Sequence, residues 1–419
     1  MELAVKAPVG VKSQIAHTKR PRSPRRNIPM VAKLAYRNLF HDQLSLFVTL
    51  VGIVFSVVLV AVQCSIYLGS EFRIVAVMDH IKADLWVLPG GTKSFDLPVL
   101  LPGRERHAVL STPGVKSAED LVVSFINWRR LGQSSGSDKT GCSSETGTCG
   151  TASALLIGFD IATNKTLPWD IVQGSLADLA TPNAVAVDSS YFKELAVERI
   201  GDRAEINEMQ VTVRVVTQGI RSFTTLPFIF ANLPLARTLV DASVGQATYT
   251  LVQVAPGADV EQVRKSLQAR LPDTEVLTHG EFRQRSLDYW LFETGAGSGL
   301  IAGAVLAIVV GIVVLAQTLY ASTKEHINEF ATLRALGASS GFIRKVILWQ
   351  AVLSAIMGYC LGMVLAQVVI YFLRDILPIV MTFNLVWGLL VLTIAMCVLA
   401  AVSAIFKVIR IDPAVVFSR

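Results

Sequence analysis

Histidines and cysteines are the first residues to examine for chemistry, and the chain carries six and five of them. His17, His41, His80, His107, His279 and His326 stand at no metal-ligand spacing, and neither H-E-x-x-H nor C-x-x-C occurs. The acidic residues form no evident pair for general acid–base work and read as solvated surface. Gly132–Thr140, GQSSGSDKT, is rich in Gly and Ser and ends in Lys-Thr, but it fails the phosphate-loop spacing G-x-x-x-x-G-K-[ST]. These residues supply no catalytic site and no metal or cofactor site. If the protein uses ATP, a second chain must hydrolyse it.

The elements behind these residues explain the lack of chemistry. Of 419 residues, 52% are hydrophobic and 17% are charged, too apolar for a soluble domain. The apolar residues gather in four segments, 44–69, 299–322, 346–373 and 379–405. Each holds a run long enough to span a bilayer, which takes ~20 helical residues. Their main polar side chains are Gln63, Gln317, Gln350 and Gln367. Without buried carboxylates, Lys, Arg or His they make a poor ion path, and suit a lever that transmits motion or half of a dimer. Gly299-x-x-x-Gly303 and Gly358-x-x-x-Gly362 offer small-residue faces for helix packing. Inverted repeats of the secondary-transporter kind are not apparent.

Lys and Arg set the orientation. Nine of them, from Lys6 to Arg37, precede the first segment; Lys324, Arg334, Arg344 and Lys345 follow the second; Lys407, Arg410 and Arg419 close the chain. The N-terminus, the 323–345 loop and the tail at 406–419 are therefore expected in the cytoplasm, and residues 70–298 outside. The net charge of +6 is then a topology signal and no evidence for nucleic acid. Residues 1–29 read as a disordered basic arm, suited to touching anionic lipid. Residues 30–43 fit an amphipathic helix on the inner membrane surface, or a plain extension of the spanning helix. That helix is a retained signal anchor in this reading, too long for a cleavable signal.

The outside region reads as one α+β domain of two lobes. Strand patterns lie at 83–88, 122–128, 154–159, 184–188, 211–216, 228–231, 248–254 and 275–278, and helix patterns at 189–195 and 259–271. Residues 132–151 read as an insertion near the lobes' boundary. Cys142 and Cys149 within it are a disulfide in an oxidising compartment, or two unpaired thiols. The return segment 281–299 is charged, then aromatic, then glycine-rich, and Tyr289 and Trp290 suit a belt at the headgroup level.

Between the second and third spanning segments lies KEHINEFATLRALGASSGFIRK, Lys324–Lys345. Ile327, Phe330, Ala331 and Leu336 fall on one helical face, with Glu325, Glu329 and Arg334 elsewhere. Spacing alone leaves two readings open: a polar loop, or a short amphipathic helix that grips another protein.

The residues Glu329, Phe330, Ala331, Thr332, Leu333, Arg334, Ala335, Leu336, Gly337 and Ala338 resemble the cytoplasmic E-[IY]-A-[TIV]-[LM]-[RK]-A-[LM]-G segment of permeases in the MacB/FtsX superfamily of ABC transporters. Leu34–Leu39, LAYRNL, and Arg410–Ala414, RIDPA, resemble that superfamily's opening and closing motifs. Val276-Leu-Thr-x-x-Glu281-Phe, Tyr289-Trp290, Thr294-Gly and the stretch Gly219–Asn232 are most similar to DevC-type exporter permeases. The resemblance covers about residues 30–417, and the Cys142–Cys149 insertion departs from it. It implies a multi-pass inner-membrane subunit with one helix, a large periplasmic domain and three further helices. It also implies a homodimer, a separate cytoplasmic ATPase that binds ATP and Mg, and coupling to that ATPase through Glu329–Ala338. A periplasmic adaptor and ATP-driven motion of the outside domain, exporting a hydrophobic or amphiphilic substrate, follow from the same likeness. Two other readings remain: an FtsX-like regulator of cell-wall hydrolases, and a membrane-anchored receptor or adaptor without an ATPase.

Overall fold

The computed structural model describes residues 35–37, 39–40, 43–130, 151–325, 340–374 and 376–409. The basic arm, Cys142, Cys149, the segment Glu329–Ala338 and the tail beyond 409 lie outside these residues.

The first helix, α1, runs unbroken from Gln43 to Asp79, past the expected membrane boundary at Gly69. At ~1.5 Å per residue it is about 55 Å long, whereas the hydrocarbon core is about 30 Å thick. Its last turns, Ser70–Asp79, therefore stand clear of the bilayer. They stay helical because they have something to pack on. Val77 and Met78 enter the main core of the domain, and Val75 forms a small cluster with Leu287 and Leu291.

The domain follows as β1 (Leu85–Pro89), α2 (Glu105–Leu110), β2 (Val115–Arg130), β3 (Thr151–Phe159), β4 (Ile171–Gln173), β5 (Ala184–Asp188), α3 (Phe192–Leu195), β6 (Arg203–Ile206), β7 (Met209–Thr217), β8 (Phe228–Asn232), α4 (Leu233–Leu239), β9 (Tyr249–Val254), α5 (Val260–Arg270), β10 (Thr274–Thr278) and α6 (His279–Asp288). The strands are ordered β10-β1-β9-β2-β3-β8-β5-β7-β4, and β6 pairs with both β2 and β7. That last pairing closes a ring through β2, β3, β8, β5, β7 and β6, which leaves few open edges in this lobe.

Strand β2 belongs to two lobes. Val115–Leu121 pairs with β9, and Val122–Arg129 pairs with β3. Where β2 changes partner, the fully buried Thr248 hydroxyl accepts from the Val123 N–H at 2.9 Å and donates to the Val123 carbonyl at 2.8 Å. The side chain replaces ladder bonds that the changeover would leave unmade. One apolar core spans both lobes, joining Trp86, Tyr249 and Phe282 to Leu155, Ile157 and Phe230. Helix α5, with Val263 and Leu267, and the Leu271 that follows it cover the opposite face of the smaller sheet, while Val260 is exposed.

Beyond the domain come a single π-turn (Tyr289–Glu293) and three long helices: α7 (Ala296–Glu325), α8 (Ser340–Leu373) and α9 (Phe383–Ile409). With α1 they are four helices long and apolar enough to cross a membrane. Helix α1 packs against α7 and α8, and α9 packs against the same two.

Candidate functional site

The expected site residues fall in different places. Glu329–Ala338 lies between the described ends of α7 and α8, and Cys142 and Cys149 lie between β2 and β3; all are outside the described residues. The four glycines are described. A Cβ at Gly358 would come within 2.5 Å of the Ile53 side chain, and one at Gly362 within 2.9 Å of Val57. A Cβ at Gly303 would meet Gln63 Nε2 at 2.5 Å, and this amide donates to the Leu300 carbonyl at 3.1 Å. Gly303, Gly358 and Gly362 thus let α7 and α8 approach α1 closely. Gly299 faces open space among the described residues.

A set of polar contacts ties the domain to the long helices, and sequence patterns did not point to it. Helix α6 returns antiparallel to the protruding part of α1. Its start is fixed by a capping box: Thr278 Oγ1 accepts from the Glu281 N–H, and Glu281 Oε2 accepts from the Thr278 N–H at 2.8 Å. Arg283, one turn further on, places its guanidinium 3.0 Å from Asp79 and 3.9 Å from Glu71, both on α1. Beside this ion pair, Leu287 and Leu291 bury against Val75. A half-exposed ion pair alone contributes little, but here it fixes which turn of α6 faces which turn of α1, and the leucines supply the attraction.

A second tie holds loop 90–97 against the end of α6. Trp290 Nε1 donates to Asp96 Oδ1 at 2.8 Å and to Ser94 Oγ at 3.0 Å. Lys93 pairs with Glu293 at 2.8 Å, and the Phe95 N–H donates to the buried Ser286 hydroxyl. Arg285 pairs with Glu275, which also accepts from the Gly91 N–H at 3.0 Å. Partial burial would raise the Glu275 carboxyl, but these two donors overcome it and hold the group below the usual carboxylate range. Trp290 therefore works as a polar clamp, where its sequence context suggested a headgroup anchor. Its other face meets Phe223 edge-on, so both lobes reach it.

A third tie joins α1 to the connection between α8 and α9. A Cβ on Gly69 would lie 2.0 Å from the Pro378 carbonyl oxygen, so only glycine fits. Beside it, the Val380 N–H donates to the Ser65 carbonyl at 3.1 Å, and Arg73 Nη2 donates to the Leu377 carbonyl at 3.1 Å. Helix α1 is thus fastened to α6, α7, α8 and the α8–α9 connection. Among the described residues no His, Cys, Asp and Glu cluster could hold a metal ion. What the junction offers is a mechanical attachment, with α1 tied to the domain through α6.

Two family models match the chain. The FtsX-like permease C-terminal model covers residues 301–413, and the MacB-like periplasmic core domain model covers residues 46–270. Residues 271–300, which include β10, α6 and the π-turn, fall between them. An uncharacterised ABC transporter permease of Mycobacterium tuberculosis, found in strains CDC 1551 and H37Rv, is 30% identical over 117 residues, covering 27% of this chain and 32% of the relative. The chain thus matches about a third of the length of these relatives. Among solved structures, the periplasmic region of MacB from Actinobacillus actinomycetemcomitans is similar at 13% identity and a TM-score of 0.35, over 51% of this chain and 96% of that one. The extracellular domain of the noncanonic ABC-type transporter YknZ from Gram-positive bacteria is similar at 13% identity and a TM-score of 0.32, over 47% and 99%.

Proposed function

Since the chain belongs to the MacB/FtsX superfamily of ABC transporter permeases, we propose that it converts ATP hydrolysis on a separate ATPase subunit into movement of its large domain, and so drives export. A permease of this type implies an ATPase partner. In the proposed assembly two copies of the chain form a homodimer in the inner membrane, with both termini in the cytoplasm and the domain in the periplasm. Glu329–Ala338 grips the ATPase, which holds the ATP and Mg. A periplasmic adaptor receives a hydrophobic or amphiphilic substrate, as in the DevC-type exporters that the sequence resembles.

One observation carries this reading: Arg283 sits between Asp79 and Glu71, above the buried pair Leu287 and Leu291, so that α1 and α6 form one body. A domain on loose tethers would not need such a joint. The apolar character of the four long helices agrees, since a lever needs no polar path through the bilayer.

The test is co-purification with the ATPase, followed by export in reconstituted membranes. Gly337→Pro and Arg334→Glu are expected to abolish ATPase association. Arg283→Glu is expected to preserve association and hydrolysis but to lose most export. Full export by all three variants would refute the proposal. ATPase-dependent activation of a cell-wall hydrolase, with no export in the parent protein, would favour an FtsX-like regulator.

A further inference from the structure

Three buried side-chain polar atoms lack a hydrogen-bond partner among the described residues: Trp86 Nε1, His279 Nδ1 and Ser354 Oγ. Ser354 is alone in α8. The other two sit on adjacent rings, with centroids 6.2 Å apart and planes tilted by 44°. Trp86, in β1, is fully buried against Phe95, Tyr249 and Phe282. His279 is the first residue of α6, and its Nε2 lies 3.7 Å from Asp79 Oδ1 on α1.

The two unpartnered atoms are chemically complementary. An indole N–H can only donate, and a neutral imidazole offers one donor and one acceptor. With Nε2 turned to a carboxylate, a neutral ring carries its proton on Nε2 and its lone pair on Nδ1, an atom buried without a partner as the Trp86 indole N–H is. A buried donor and a buried acceptor, each unsatisfied, are costly apart and favourable together. A single buried water can join such a donor and acceptor when both face it.

We infer that Trp86 Nε1–H and His279 Nδ1 are joined through one bound water, and that this bridge holds His279 in the tautomer that presents Nε2–H to Asp79. The bridge runs from β1, next to the end strand of the sheet, through the first residue of α6, to the outer end of α1. Trp86 is thus a positioning residue for the joint. That role rests on reading the junction as the transmission path; the bridge itself does not.

Solid-state 15N spectra of the full chain in lipid, labelled at His and at the Trp indole, test it. The His279 and Trp86 signals are assigned by their loss in His279→Gln and Trp86→Phe. The expected parent spectrum has His279 protonated on Nε2 and accepting on Nδ1, and Trp86→Phe moves the Nδ1 signal. His279→Leu should shift the Trp86 indole N–H upfield, and His279→Gln, whose Oε1 can still accept, should restore most of it. A parent His279 protonated on Nδ1, a Trp86 signal unmoved by His279→Leu, or a Gln variant indistinguishable from the Leu variant would overturn the inference. None of these spectra needs ATPase or export, so failure here and failure of the proposed function are separate results.

Discussion

The helix bundle and the junction above it are fastened by different means. In the bundle, α1 meets α7 and α8 through small residues, with Gly303, Gly358 and Gly362 set against Gln63, Ile53 and Val57. At the junction, α1 meets α6 through Arg283, Asp79 and Glu71 over a leucine cluster. The difference follows from the surroundings. Lipid tails are as apolar as the helices, so close backbone approach must hold the bundle together. Outside the bilayer water supplies a hydrophobic drive, and polar pairs then choose the register.

The largest expected effect is at the hydrophobic part of the joint. Leu287→Ala should destabilise the domain by about 2–5 kcal/mol, because the leucine is buried in a cluster with Val75 and Leu291. Denaturant unfolding followed by tryptophan fluorescence measures this, and a loss below ~1 kcal/mol would mean that the ion pairs carry the joint. In the bundle, Gly358→Leu should cost about 1–3 kcal/mol by pushing α8 off Ile53. It should lower the thermal stability of the detergent-solubilised chain while leaving the domain's own unfolding unchanged. If both transitions shift together, bundle and joint are a single cooperative unit.

Trp290→Phe keeps the ring contact with Phe223 and removes the donor to Asp96 and Ser94. A loss of about 1 kcal/mol is expected, with faster hydrogen exchange confined to residues 92–97. The smallest effect comes from acid. Glu275 has a folded-state pKa below its ordinary value of 4.5. Its contribution is therefore complete above that value and fades as the pH falls through the lower folded-state value. Arg285→Gln, which leaves only the Gly91 N–H on Glu275, should weaken this acid dependence, and an unchanged acid limb in a pH series would contradict the assignment.

Much of the domain was legible because its strands are long and apolar. Ala184–Asp188, AVAVD, is a strand at the residues its pattern indicates, and the helix expected at 259–271 is observed at Val260–Arg270. The short strands Ile171–Gln173 and Arg203–Ile206 were not legible; three or four residues carry too little periodicity, and their register comes from β7. Strand β2 runs on into Arg129 and Arg130 because β6 supplies partners there. The joint itself left almost no local trace. Arg283 and Asp79 are 204 residues apart in sequence, and so no window along the chain contains both. The charged, aromatic and glycine-rich run at 281–299 marked a return to the membrane. It suggested an interfacial role for Trp290, because the indole's partners, Ser94 and Asp96, come from far upstream.

The central claim is that the domain moves as one body with α1. Spin labels at Val244, on the domain surface, and at Ile376, in the α8–α9 connection, are both exposed and lie on opposite sides of the joint. Distances are measured by pulsed electron resonance in a cysteine-free chain assembled with its ATPase, with and without ATP. If the domain moves as one body with α1, the Val244–Ile376 distance within one copy stays constant, while the distance between the Val244 labels of two copies changes with ATP. A within-copy distance that changes while the between-copy distance stays fixed would contradict it.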